Sequence, residues 1–246
     1  MGADFRLGIQ SYTFRTFKTL DSLLDAVSKT GLSSVEIWPG HLPFDLPEAE
    51  IRDALARVAD AGIAVDGYGA VDFTGDDAHD RAIMSFAGMA GVKTLTVVNM
   101  DDASFPYVTR LCDEYDVNIA LHNHGHGLRW GTAESLREAF AKTSPRIGLC
   151  IDTAWCIDVK EKPLQWIEEF GDRLYGVHLK DFSYDSGERR DVIVGTGGLD
   201  LPAFMRKLKE LEFGGYLSME YEGDVDNPLP SAIECVNAIK GVIQAL

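Results

Sequence analysis

Apolar and polar positions follow a regular rhythm along this chain, in which short apolar runs alternate with longer amphipathic segments. The apolar runs hold four to six β-prone residues, which is typical of strands buried on both faces of a parallel sheet. We predict eight such strands, at residues 7–11, 34–38, 63–68, 94–98, 118–122, 147–152, 174–179 and 216–220.

The segments between these runs carry apolar residues at helical spacing. Leu20, Leu23, Leu24 and Val27 share one face of the first segment, and Gly31 ends it. The predicted helices cover residues 19–30, 47–61, 77–90, 101–115 or 104–115, 132–142, a segment from 163, 201–211 and 230–244. Eight strand–helix units predict an α/β protein with a single (β/α)8 TIM barrel domain over residues 1–246. The long charged loop 181–198 is typical of an active-site loop in this fold.

Four of the predicted strands end on residue types that bind metals. His122, Asp152, His178 and Glu220 stand at the ends of strands five to eight. A TIM barrel brings the carboxyl ends of its strands together at one face, so these side chains are expected to meet. Two imidazoles and two carboxylates suit a divalent transition metal such as Mn²⁺, Co²⁺, Zn²⁺ or Fe²⁺ better than Ca²⁺, which prefers oxygen ligands.

The charge balance argues against two classes of partner. Lys and Arg number 23 against 39 Asp and Glu, for a net charge of −16, and such an acidic surface repels nucleic acid and anionic membranes. The sequence has no apolar stretch of membrane-spanning length and no charged-then-apolar leader. The four cysteines lack CxxC spacing and predict buried free thiols. We therefore expect a cytoplasmic protein with no nucleic-acid and no membrane partner.

Seven motifs in the sequence point to a known family. They are Leu-Gly-Ile-Gln-Ser-Tyr-Thr-Phe at 7–14, Ser-Val-Glu-Ile at 34–37, Ala-Leu-His-Asn-His at 120–124, Cys-Ile-Asp-Thr-Ala-Trp at 150–155, Val-His-Leu-Lys-Asp at 177–181, Gly-Thr-Gly at 195–197 and Gly-Gly-Tyr-Leu-Ser-Met-Glu at 214–220. In this order they resemble the sugar phosphate isomerase/epimerase family, a branch of the xylose isomerase-like TIM barrels.

The resemblance implies a metal-dependent enzyme that acts on a small carbohydrate. One divalent ion is expected, with Mn²⁺ ranked first and Mg²⁺ a further alternative to Co²⁺, Zn²⁺ and Fe²⁺. The ion would polarise a carbonyl of a sugar, sugar acid or keto-polyol, while Glu220 or His124 moves a proton on the neighbouring carbon. This chemistry predicts an isomerase or epimerase, and homo-oligomerisation stays open.

One position departs from the family pattern. The resemblance places a glutamate at the end of strand five in the ketose 3-epimerases, where it is both a ligand and a catalytic base, and this chain has His122 there. A histidine that binds a metal has committed its lone pair and is a poor proton acceptor. His124 lies two residues further on the same side of the strand. His124 is therefore either the replacement base or the ligand, with His122 preferred as ligand.

Further residues are predicted to surround the substrate. Lys180 follows His178 by two positions and either stabilises an oxyanion or pairs with a carboxylate at the rim. Glu36, at the end of strand two, is expected to bind substrate, to support the metal site or to pair with an arginine. The candidates for an apolar wall of the site are Trp155, Trp38, Tyr12 and Phe14, of which Phe14 is more typical of loop packing. Arg190 in the long loop is a candidate contact for a phosphate or carboxylate.

Three other functions compete with isomerisation. A metal-dependent lyase, acting by keto-polyol dehydration or by β-elimination of a 3-keto-glycoside, begins with the same proton removal and needs only one base. An apurinic endonuclease is disfavoured, because Trp155 stands where that branch of the family has a histidine and the chain is strongly acidic. A non-catalytic sugar-binding subunit is the remaining alternative.

Overall fold

Eight parallel strands close into a barrel in the computed structural model of this protein, which describes residues 5–246. The ring order of the strands is β1-β10-β7-β6-β5-β4-β3-β2, and β8 and β9 form an antiparallel hairpin outside the ring. The strands are β1 Leu7–Gln10, β2 Ser34–Ile37, β3 Ala64–Asp72, β4 Thr94–Asn99, β5 Asn118–His122, β6 Ile147–Asp152, β7 Leu174–Leu179, β8 Phe182–Ser183, β9 Arg190–Asp191 and β10 Tyr216–Met219. The predicted TIM barrel is confirmed.

The helices lie between the strands and surround the barrel. They are α1 Leu20–Lys29, α2 Glu48–Asp60, α3 Asp77–Ala90, α4 Phe105–Tyr115, α5 Ala133–Ala141, α6 Thr153–Asp158, α7 Pro163–Phe170, α8 Leu201–Glu210 and α9 Leu229–Gln244. Thr19 and Thr132 begin α1 and α5 with capping boxes, in which the threonine hydroxyl and a serine three residues later satisfy free backbone N–H groups. Gly91 ends α3 with a φ of 71°, a left-handed conformation that glycine adopts without strain.

The apolar core lies mainly between the outer surface of the barrel and the helices. The barrel interior holds a smaller cluster of Ala120, Cys150 and Tyr216, together with buried polar residues such as Glu36 and Thr96. All four cysteines are buried and free. Within residues 5–246, no helix has the length and hydropathy that crossing a membrane requires.

Three features differ from the pattern-based prediction, and one of them is the β8–β9 hairpin within the predicted loop 181–198. The strand predicted to end at residue 68 continues to Asp72 as β3, because its pairing shifts register on both sides and so accommodates Gly67 and Gly69 within the strand. A short helix, α6, also begins directly after β6, where we predicted only the later helix from Pro163. The bounds of β5, β6 and β7 are the predicted ones.

Candidate metal centre

Four neighbouring strands of the ring bring the predicted ligands together. His122 and Asp152 are the last residues of β5 and β6, His178 is the fifth residue of β7, and Glu220 directly follows β10. The backbone N–H of Glu220 donates to the carbonyl of Leu179 at 3.0 Å, which continues the pairing of β10 with β7. One donor atom from each of the four side chains lies within 4.8 Å of the other three, and all four residues are buried. This buried cluster is able to hold a divalent metal ion.

The separations between donor atoms fit a shared ion. His122 Nε2 lies 3.1 Å from His178 Nδ1, and His178 Nδ1 lies 3.5 Å from Glu220 Oε2. His122 Nε2 is 3.9 Å from Asp152 Oδ2. Two ligands each about 2.1 Å from one ion are roughly 3.0 to 3.4 Å apart at coordination angles between 90° and 109°. The two shorter separations match such angles closely, and the longest corresponds to a wider angle.

Asp152 is held so that one of its carboxylate oxygens stays available. Oδ1 accepts the backbone N–H groups of Ala154 and Trp155 at 2.8 and 3.0 Å, which caps the start of α6. Oδ2 is buried and has no hydrogen-bond partner among the described residues. A buried carboxylate oxygen without a donor is costly, so this atom fits a position beside a cation.

His178 is oriented from behind by Glu36. The Glu36 carboxylate can only accept, so His178 Nε2 donates to Glu36 Oε2 at 2.7 Å. The imidazole therefore turns Nδ1 towards His122 and Glu220. Of the three roles that the sequence left open for Glu36, this placement corresponds to support of the candidate metal site.

The electrostatics of the metal-free cluster define the protonation states that a bound cation would change. Burial would lower the pKa of His178, but Cys150, Glu36 and Glu220 outweigh it and raise that pKa well above its usual value. Burial raises the pKa of Asp152 to about 7, and it lowers the pKa of His122 well below its usual value. Burial would also raise the pKa of Glu220, but Lys180 and His178 outweigh it and lower that pKa. A divalent ion would balance the two carboxylates and make their proximity stable.

Lys180 is the only fully buried lysine among the described residues, and its amine lies beside the cluster. Its Nζ forms an ion pair with Glu222 and lies 3.8 Å from Glu220 Oε2. Burial would lower the pKa of this amine, yet Glu220, Asp152 and Glu222 raise it, so the amine is charged at neutral pH. The structure shows one of the two predicted roles of Lys180, namely the pairing with a rim carboxylate, Glu222. The positive charge of Lys180 also lies close to the cluster, as the other predicted role, stabilisation of an oxyanion, requires.

A cavity of about 490 Å³ opens above the candidate ligands. Its lining includes His122, His178 and Glu220 at the floor, with residues of several loops around them. Four of the wall residues are those proposed or discussed from the sequence, namely Tyr12, Trp38, His124 and Trp155. The His124 ring packs on the Trp155 ring, and their centroids are 4.2 Å apart. The centroids of the His122 and His124 rings are 5.8 Å apart.

The arginine of the long loop that lines the cavity is Arg189, whereas the sequence pointed to its neighbour Arg190. Arg190 is exposed in β9 and is not among the residues that line the cavity, whereas Arg189 does line it. The Arg189 guanidinium lies 4.5 Å from the centre of the Trp155 ring and 3.5 Å from Asp158 Oδ1. No signal in the sequence distinguishes the two arginines, because the register of a two-residue strand cannot be read from hydrophobic alternation.

Comparison with known proteins agrees with this architecture. The model of the xylose isomerase-like TIM barrel family matches residues 103–240. The chain is 27% identical over 130 residues to an inosose dehydratase from Geobacillus kaustophilus, which covers 46% of this chain and 42% of that protein. The chain thus matches less than half the length of this curated relative.

Solved structures share the fold over nearly the whole chain. A D-tagatose 3-epimerase-like protein superposes with a TM-score of 0.78 at 16% identity and covers 98% of both chains. The IOLI protein, solved with a bound zinc atom, superposes with a TM-score of 0.77 at 20% identity and covers 98% of this chain and 99% of that one. At these identities the likeness shows the fold. The family match and the fold together show that the chain belongs to the xylose isomerase-like TIM barrel family.

Proposed function

We propose that this protein is a divalent-metal-dependent isomerase or epimerase of a polyhydroxylated ketone, such as a ketose, sugar acid or keto-polyol. The observation that carries the proposal is the convergence of four buried donor atoms at the floor of a cavity, with His124 in its wall and Lys180 beside it. A base, a positive charge and a metal centre around one cavity are what removal of a proton next to a carbonyl requires.

The proposed ligands are His122, Asp152, His178 and Glu220. A divalent ion at this centre supplies Lewis acidity that polarises the substrate carbonyl. The ligand set admits Mn²⁺ first, and Co²⁺, Zn²⁺, Fe²⁺ or Mg²⁺ as alternatives. The zinc atom in the structure of the IOLI protein supports metal binding by a barrel of this fold without deciding which metal this chain uses.

His124 is the proposed proton carrier. It is half-buried in the cavity wall, and burial together with the charge of Lys180 lowers its pKa, so that the imidazole is neutral at neutral pH. A neutral imidazole can accept a proton from carbon and then return it to the neighbouring carbon or oxygen. Glu220 is the alternative carrier, but its proposed ligand role and lowered pKa make it a weaker base.

Lys180 is proposed to stabilise the negative charge that develops on the substrate oxygen when the proton leaves. Its amine is held between Glu222 and Glu220 and lies 5.4 Å from the centre of the Trp155 ring, so it is fixed before substrate arrives. A preorganised charge in a buried site stabilises a developing oxyanion more than a mobile one does. Tyr12, Trp155 and Arg189 are the proposed substrate contacts around it.

A lyase is the second candidate, and one observation favours it. His122 lies in the ligand cluster, so His124 is left as the neutral acid–base group in the cavity wall. One base is enough to remove a proton and then, as an acid, to protonate a leaving hydroxyl or glycosidic oxygen. The inosose dehydratase relative supports this candidate over its matched stretch.

The partners follow from the same cavity and charge. A small carbohydrate is the proposed ligand, and the net charge of −16 supports neither nucleic acid nor an anionic membrane as a partner. A cytoplasmic location and homo-oligomerisation stay predictions.

The test is exchange of substrate hydrogen with solvent. The purified protein, loaded with Mn²⁺ or stripped with a chelator, is incubated in D₂O with a panel of ketoses, inososes and 3-keto-glycosides and followed by NMR. We expect deuterium at the carbon next to the carbonyl only with metal, and none with His124→Ala. A product isomer supports the isomerase, and an unsaturated product supports the lyase. Stoichiometric metal with no exchange over the whole panel would contradict both enzymes and favour the sugar-binding subunit.

A further inference from the structure

Glu36 is a carboxylate sealed inside the barrel. It lies in β2 with an exposure of 0%, and it is not among the residues that line the cavity. An isolated carboxylate in such a place would be strongly destabilising, so its contacts must account for its presence. Its hydrogen-bond partners are His178 on one oxygen and Thr96 on the other.

The two contacts belong to a directional chain of hydrogen bonds. Thr96 has a single hydroxyl proton, which it donates to Glu36 Oε1. The hydroxyl of Tyr216 lies 2.6 Å from Thr96 Oγ1 and therefore donates to it. On the other side, His178 Nε2 donates to Glu36 Oε2 at 2.7 Å. Both branches of the chain end on the Glu36 carboxylate, which is its common acceptor.

The backbone around Glu36 is shaped to make room for it. The pairing of β2 with β3 shifts register between Val35 and Glu36, which places Gly67 opposite the glutamate. A Cβ atom on Gly67 would lie 3.0 Å from Glu36 Cγ and 3.3 Å from Cδ, closer than ordinary contact. The missing side chain at Gly67 thus allows the carboxylate to reach His178.

We infer that Glu36 is a positioning residue for His178, which fixes the proton of this imidazole on Nε2 and directs Nδ1 towards the metal centre. Its negative charge also makes the imidazole a stronger ligand, as carboxylates behind metal-bound histidines do. The inference rests on the metal centre of the proposed function for its effect on affinity. The placement of the imidazole proton can be tested without any metal.

The first test locates that proton by NMR. In ¹⁵N-labelled protein, both metal-free and Zn²⁺-loaded, we expect a slowly exchanging imidazole N–H on Nε2 of His178, assigned by its loss in His178→Gln. We expect Glu36→Leu to lose this signal to exchange, because the acceptor is gone. A wild-type His178 that carries its proton on Nδ1 alone would overturn the inference, whatever the metal affinity.

The second test measures metal affinity by competition with a chromophoric chelator, using Mn²⁺ and Zn²⁺. We expect Glu36→Gln, which keeps an acceptor but removes the charge, to weaken binding about 10-fold, and Glu36→Leu about 100-fold. Asp80→Asn is the matched control, since Asp80 is also a fully buried carboxylate but bonds to the backbone N–H groups of Thr74 and Gly75 outside the cluster, and it should bind within about threefold of wild type. Folded Glu36 variants with wild-type affinity would overturn the inference.

The two tests separate this inference from the proposed function. A wild-type protein that holds no metal, yet carries its His178 proton on Nε2, would overturn the proposed function while supporting the positioning contact. Glu36 variants that fail to fold leave the wild-type NMR measurement to decide.

Discussion

Asn123 holds Asp152 by two reciprocal hydrogen bonds between the ends of β5 and β6. The Asn123 side-chain amide donates to the backbone carbonyl of Asp152 at 3.0 Å, and its oxygen accepts the backbone N–H of Asp152 at 2.7 Å. Both residues are fully buried. Asn123 directly follows the candidate ligand His122 and fixes the backbone of the candidate ligand Asp152. These two bonds therefore help to set the distance between His122 and Asp152.

This relationship predicts the effect of Asn123→Ala. Two buried backbone groups of Asp152 would lose their partners, which should lower the free energy of unfolding by about 2 to 4 kcal/mol. The displaced ligand should also weaken metal binding about 10-fold or more. Urea unfolding and chelator competition measure the two effects. Asn118→Ala, at the other end of β5, is the control and should change neither by a comparable amount. Unchanged stability in Asn123→Ala would show that the reciprocal pair is not formed.

Removing the buried charge of Lys180 should affect turnover more than substrate binding. For Lys180→Met we expect kcat to fall about 100- to 1,000-fold with a smaller change in KM, because the charge acts on the oxyanion that forms during the reaction. Lys93→Met is the control, because Lys93 forms an exposed ion pair with Asp116. If kcat fell equally in Lys180→Met and Lys93→Met, or did not change in Lys180→Met, Lys180 would not be the residue that stabilises the oxyanion.

The two adjacent arginines of the hairpin should behave differently. Arg189 lines the cavity against Trp155, and Arg190 is exposed outside it. We expect Arg189→Ala to raise KM about 10-fold with little change in kcat, as loss of a uniform binding contact does. Arg190→Ala should leave both constants unchanged. The reverse result would favour the contact predicted from the sequence alone.

Metal affinity should depend on pH near neutrality. In the metal-free protein, burial raises the pKa of Asp152 to about 7, so this carboxyl is protonated below that pH and ionised above it. To bind, the ion must displace that proton and also the second proton of His178, because Cys150, Glu36 and Glu220 outweigh burial and hold the pKa of His178 well above its usual value. Affinity should therefore fall about tenfold or more for each pH unit below 7 and keep rising with pH above it. Chelator competition with Mn²⁺ between pH 6 and 8 measures the slope. An affinity independent of pH over this range would show that Asp152 is already ionised and His178 already neutral without the metal.

The sequence predicted the barrel and the meeting of the four candidate ligands because both depend on local patterns. Apolar runs of fixed length define β5, β6 and β7, and the barrel topology places their last residues at one face. The extension of β3 was missed, because Gly67 and Gly69 resemble a strand end unless the register shift is known. The start of α6 was missed because its cap is Asp152, which the motif assigned to metal binding alone.

Contacts between distant residues could not be read from the sequence. Glu36 and His178 are 142 positions apart, and nothing in either motif indicates that they bond. The choice between Arg189 and Arg190 depends on the side of a short hairpin that faces the cavity. The resemblance predicts proton transfer next to a carbonyl, but it does not indicate how a substrate would lie against His124, on which the proposed choice between isomerase and lyase depends.

The measurement to make first is metal stoichiometry in the wild-type protein and two variants. After loading with Mn²⁺ and removal of excess metal, elemental analysis should find one ion per wild-type chain and one in His124→Ala. His122→Ala should retain almost none, because His122 Nε2 lies in the donor cluster and His124 lies outside it. Retention in His122→Ala with loss in His124→Ala would move the ligand to His124, and a wild-type protein that holds no metal would contradict the proposed centre.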